Sequence, residues 1–115
     1  MTLFQVALGG AIGSVLRFLT VAAVTAPVGT LLVNVAGSFF MGVLFVVLSA
    51  RAGMSPLLMT GILGGFTTFS AFSLDALKLW QAGQTLPALA YVAASVILSL
   101  IAVAIGAALA KGVWA

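Results

Sequence analysis

Thirteen consecutive residues, Gly61 to Ser73, concentrate the groups in this chain that could do chemistry: Gly-Ile-Leu-Gly-Gly-Phe-Thr-Thr-Phe-Ser-Ala-Phe-Ser. Their types suit holding an ion rather than making bonds. A helix broken at Gly64-Gly65 frees backbone carbonyls for a cation, and the N-terminus of the half-helix that follows offers N–H groups and positive dipole to an anion. Phe69 and Phe72, three apart, share a face of that half-helix. They either meet lipid and core or present the positive edges of their rings to a partly dehydrated anion. Two further sets repeat at spacing four: Thr30, Asn34 and Ser38, and Tyr91, Ser95 and Ser99. Each stacks on one helix face. Such stripes serve interhelical hydrogen bonds worth about 1 kcal/mol each, or they line a polar path in which the Asn34 amide donates to an anion. Arg17, inside an apolar segment, must reach an interface or a water-filled cavity. At a pore mouth its fixed charge would draw anions into a vestibule.

What is missing narrows the chemistry further. The chain has no Cys and no His, so thiol nucleophiles, disulfides, thiolate or imidazole metal sites and histidine proton shuttles are excluded. Asp75 is the single acid against Arg17, Arg51, Lys78 and Lys111, giving a formal charge of +3. With one carboxylate there is no acid-base pair, and enzymatic catalysis is not expected. Four dispersed cations form no patch for nucleic acid.

The elements that must position these groups are membrane helices. Of 115 residues, 64% are hydrophobic and 4% charged, far from the balance of a soluble domain. A span takes roughly 20 residues, so residues 1–115 read as one all-α integral membrane domain of four transmembrane helices. Met1 to Gln5 lacks the positive n-region of a signal peptide, so the first apolar segment, residues 3 to 24, is expected to stay as a span. Its Gly9, Gly10 and Gly13 suit close helix packing. A turn at Thr25 to Gly29 leads to a span from about Thr30 to Ser49. A loop from Arg51 follows, with Ser55 as N-cap and Pro56 as first helical residue of the third span.

That third span is expected to be broken at mid-membrane, since backbone groups freed at Gly64-Gly65 survive in a bilayer only when buried in protein or lining a cavity. Thr68 or Ser70 caps the second half, which runs to Ala82 with Gly83 as its stop. Asp75 and Lys78 are expected to form a solvated rim contact beside Trp80. Residues 86 to 110 make the fourth span, with Lys111 and Trp114 at the aqueous boundary. Four spans place Arg51 and Lys111 on one side and Arg17 and Lys78 on the other, so the positive-inside rule has little to act on. A chain able to insert both ways can pair with its inverted copy.

The runs Gly-Gly-Phe-Thr-Thr-Phe-Ser-Ala-Phe at 64 to 72, Gly-Thr-Leu-Leu-Val-Asn-Val-Ala-Gly-Ser-Phe at 29 to 39 and Gly-Gly-Ala-Ile-Gly-Ser-Val-Leu-Arg-Phe at 9 to 18 resemble the bacterial Fluc (CrcB-type) fluoride channel family. The resemblance covers the chain in order. It implies a multi-pass protein of the bacterial inner membrane, an antiparallel dual-topology homodimer with two fluoride pores and a structural sodium ion where the two broken helices cross. Carried over by position, the carbonyls of Gly64 and Thr67 would hold the sodium. Phe69 and Phe72 would present ring edges to fluoride, and Asn34 would bond the ion or orient a phenylalanine. Thr30 would lie near the path, Tyr91, Ser95 and Ser99 would form a hydroxyl track, and Arg17 would sit in the vestibule. Ala71 stands where Thr is common and Asp75 where the acid is often Glu. Two other classes share the length: a proton-coupled exporter of the small multidrug resistance type, which needs an acid within the membrane, and a small assembly or pore subunit with no use for a broken span.

Overall fold

Long apolar runs without water to satisfy their backbones close their own hydrogen bonds as helices, and the chain does so throughout. The computed structural model describes residues 2–49 and 56–114. Helix α1 is Thr2–Val24 and α2 is Val28–Val47; a π-helix at Pro56–Leu63 continues into the short α3, Gly64–Phe66; α4 is Phe69–Gln81 and α5 is Thr85–Trp114. The four stretches Thr2–Val24, Val28–Val47, Pro56–Gln81 and Thr85–Gly112 are long and apolar enough to cross a membrane, which makes this a multi-pass membrane protein. Large apolar side chains such as Phe18, Phe45, Leu86 and Leu100 stand exposed, as expected where the solvent is lipid. Arg51, the N-cap position of Ser55 and the side chain of Trp114 lie outside the described residues.

The connections are short. Thr25 ends α1 in a left-handed conformation, φ +69, usually taken by Gly or Asn. Helix α2 then starts at Val28, two residues before the sequence suggests, because Gly29 lets its backbone lie against Val21, whose Cα would be 3.0 Å from any added Cβ. Gly83, φ +80, turns α4 into α5 as expected.

Two seams of backbone-to-backbone packing join the helices in pairs. Along α1, a Cβ on Gly9 would lie 2.8 Å from the Cα of Gly61, and one on Gly13 would strike Ile62 O. On the other side, a Cβ on Gly42 of α2 would strike Val103 O of α5, and one on Gly106 would strike Phe39 O. Without a hydrophobic drive between helices in lipid, this close approach supplies the dispersion that holds them. Gly42→Val is therefore expected to push α2 and α5 apart at a cost of roughly 1–3 kcal/mol or more, the range for an overpacked interior. A lowered melting temperature of the purified protein in detergent checks this.

The helical path of the third span is interrupted at Thr67 (φ −87, ψ 157) and Thr68 (φ −153, ψ 124), both extended. The expected position, Gly64-Gly65, is helical instead. Gly65 serves approach rather than interruption: a Cβ there would lie 2.7 Å from Gly10 O and 3.2 Å from Ser14 N. Of the two candidate caps, Thr68 takes the role, its hydroxyl accepting from Ala71 N at 3.1 Å.

Candidate ion site

The interruption turns backbone groups out of the helix, and other helices receive them. In a continuous helix the Thr68 amide would point at Gly64 O; here it donates to Oδ1 of Asn34 at 2.7 Å. The Asn34 Nδ2 donates back to Thr68 O at 2.9 Å. One side chain from α2 thus clasps both polar groups of one extended residue. Arg17 from α1 reaches the same segment from another side, its Nε donating to Gly65 O at 3.0 Å. Thr67 folds back on its own turn, with N and Oγ1 both donating to Leu63 O at 3.0 and 2.9 Å. Gly37 gives its methyl room, since a Cβ there would strike Thr67 Cγ2.

Two cavities flank this segment, and Thr68 lines both. The first, of about 550 Å³, is bounded by Asn34 and Ser38 of α2, Gly64, Thr67 and Thr68, Phe69 and Phe72 of α4, and Ser95 and Ser99 of α5. Most of the polar positions singled out in the sequence therefore converge on one space. Phe69 is 77% exposed, whereas Phe72 is 8% exposed, with ring centroids 5.5 Å apart. The Ser95 side chain is 5% exposed, and its Oγ makes no hydrogen bond of ordinary geometry among the described residues, with the Tyr91 hydroxyl close by.

The second cavity, of about 440 Å³, is lined by Ser14, Arg17, Thr30, Ala71 and Asp75 among others. Thr30 belongs here, and Tyr91 lines neither space, although its hydroxyl lies close to those of both Thr30 and Ser95. The Tyr91 hydroxyl instead meets Oδ2 of Asp75 at 3.3 Å, and its ring lies 5.3 Å from that of Phe72.

Asp75 corrects the sequence reading. It is 8% exposed, inside the protein beside α5, while Lys78 is exposed; the two form no solvated rim contact. Tyr91 meets the carboxylate from another helix. Spacing within one helix carried no sign of that partner.

Polar groups gathered about one interruption, among four helices long and apolar enough to cross a membrane, define a multi-pass membrane protein with a polar cavity at its third span. The family comparison makes it particular. Residues 4–107 match the family described as CrcB-like protein, Camphor Resistance (CrcB), and the chain belongs to that family. It is 49% identical to a protein of Paracoccus denitrificans over 99% of this chain and 98% of the relative. It is 53% identical to one of Cereibacter sphaeroides over 96% and 95%, and 51% identical to one of Rhizobium meliloti over 90% of each. All three relatives carry the name fluoride-specific ion channel FluC.

Proposed function

We propose that this chain is a passive, fluoride-selective channel of the bacterial inner membrane that lets fluoride leave the cytoplasm. Ser95 carries the proposal. A buried hydroxyl without a well-formed hydrogen bond costs about 1–3 kcal/mol; Ser95 has only a loose neighbour in the Tyr91 hydroxyl, and in a membrane helix such a group is tolerated where something polar arrives to meet it. Its place beside Phe72, on a cavity shared with Asn34 and Ser99, matches the needs of a small dehydrated anion: weak donors and ring edges that bind without gripping. The names of relatives sharing about half their residues with the chain support fluoride as that anion.

In this proposal Phe69, Phe72, Asn34, Ser95 and Ser99 border the fluoride path at mid-membrane, Thr30 and Arg17 stand on its vestibule side, and Tyr91 supports it from behind. The functional form is an antiparallel homodimer with two pores, sealing the exposed Phe69 against the partner. A sodium ion suits Gly64 and Thr67. Its donors in this proposal are backbone carbonyl oxygens, which suit a hard cation. The Gly64 carbonyl has lost its helical partner, because the Thr68 amide is turned to Asn34. Two carbonyls are too few for a cation shell, so a second copy would complete it; the ion would pin the two interrupted helices together.

Proteoliposomes loaded with potassium fluoride, opened to counter-ion flow by valinomycin, should release fluoride and retain chloride. Folded dimer that releases no fluoride overturns the proposal. Ser95→Ala sharpens the test. If Ser95 only packs, removing a poorly bonded hydroxyl leaves flux unchanged and stability the same or higher. If it meets the ion, fluoride flux falls roughly tenfold, about one hydrogen bond to a charged group, while the melting temperature does not drop.

A further inference from the structure

The only acid in the chain is buried, and the proposed path makes no direct use of it. Asp75 lines the second cavity together with Arg17, and the group that α5 presents to it is the Tyr91 hydroxyl, 3.3 Å from Oδ2. Tyr91 does two things at once. Its hydroxyl meets Asp75, and its ring packs against Phe72 with centroids 5.3 Å apart at 45°. Asp75 and Phe72 are three residues apart on α4, so a single tyrosine of α5 braces two positions of one face. All three side chains are 8% exposed. The Phe72 ring in turn borders the first cavity, as does Ser95, one turn along α5 from Tyr91.

A tyrosine held only by ring packing slides and tilts easily, because dispersion is weakly directional. The hydroxyl–carboxylate contact is long at 3.3 Å but directional, and with the Thr30 and Ser95 hydroxyls nearby it restricts that freedom in a low-dielectric site. Resting on the fluoride-path reading above, we infer that Asp75 is a positioning residue: its carboxylate fixes Tyr91, and Tyr91 fixes the Phe72 ring edge that the ion passes. Asp75 acts from the opposite cavity and touches no ion in the first. The charged group sharing its cavity from α1 is Arg17; α2 contributes only the Thr30 hydroxyl, and Lys78 on the same helix is exposed.

The test is a mutant cycle with a probe on the ring itself. Full-length protein carrying 4-fluorophenylalanine at position 72, or as a control at the exposed position 40, is compared in wild type, Asp75→Asn, Tyr91→Phe, the double variant and Asp75→Glu. Asp75→Asn and Tyr91→Phe should each move the fluorine resonance at position 72 and leave the one at position 40 in place. Each should lower fluoride flux roughly three- to tenfold, as for one ordinary hydrogen bond, the double variant should be no worse than either single one, and Asp75→Glu should recover most of the flux. A resonance at position 72 that stays put, unchanged flux in the single variants, or losses that multiply in the double variant overturns the inference. Wild-type protein that carries no fluoride would instead sink the channel reading, and the fluorine spectra would still decide whether Asp75 orients Phe72.

Discussion

Asn34→Ala is expected to stop fluoride flux and to destabilise the folded chain by about 2–6 kcal/mol, since two backbone groups would each lose a bond worth about 1–3 kcal/mol when left unmet. The Thr68 N–H and C=O now end on one amide, at 2.7 and 2.9 Å, and both are part-buried. Asn34→Asp separates the two contacts. A carboxylate still accepts from Thr68 N, but it faces Thr68 O without a donor, so flux should fall nearly as far as in the alanine variant. Fluoride efflux and thermal unfolding of the same preparations check both. Normal flux in either variant would show that the clasp does not hold the path open.

The second large effect is expected at Arg17, where charge and geometry can be told apart. A vestibule cation that only attracts anions would work as Lys. The structure gives Arg17 a second task, the Nε donation to Gly65 O at 3.0 Å, which a flexible ammonium does not reproduce in the same fork. Arg17→Lys and Arg17→Gln are therefore expected to lose flux to a similar extent, roughly tenfold or more for one charge-assisted hydrogen bond. Wild-type flux in Arg17→Lys beside a loss in Arg17→Gln would leave attraction as the whole of its role.

The sequence made some of this plain and hid the rest for physical reasons. The four spans follow from apolar runs longer than a bilayer is thick, and Gly83 and Thr68 act locally as turn and cap. The polar positions Asn34, Ser38, Ser95 and Ser99 meet on one cavity because spacing four keeps neighbours in each stripe on one face, while Thr30 and Tyr91, one turn earlier, fall outside it. The interruption was misplaced by three residues, from Gly64-Gly65 to Thr67-Thr68. A glycine pair reads as a break, yet here Gly65 is small so that α1 can lie against it, and what opens the helix is an amide 34 residues away on α2. Asp75 was hidden for the same reason: its nearest charge in sequence is Lys78, but its partner, Tyr91, comes from another helix. Contacts between helices leave no mark in the spacing along one.

The order of these elements along the chain has a consequence for biosynthesis. Arg17 and Asn34 both precede the segment they hold. As the ribosome delivers the chain from its N-terminus, α1 and α2 can reach the bilayer before Gly65 to Thr68 emerge, so the exposed amides and carbonyls of the interruption find receptors on arrival rather than waiting unpaired in lipid. A circular permutant that begins at Pro56 would reverse that sequence of events, and its third span would have to enter the membrane before either receptor had been made.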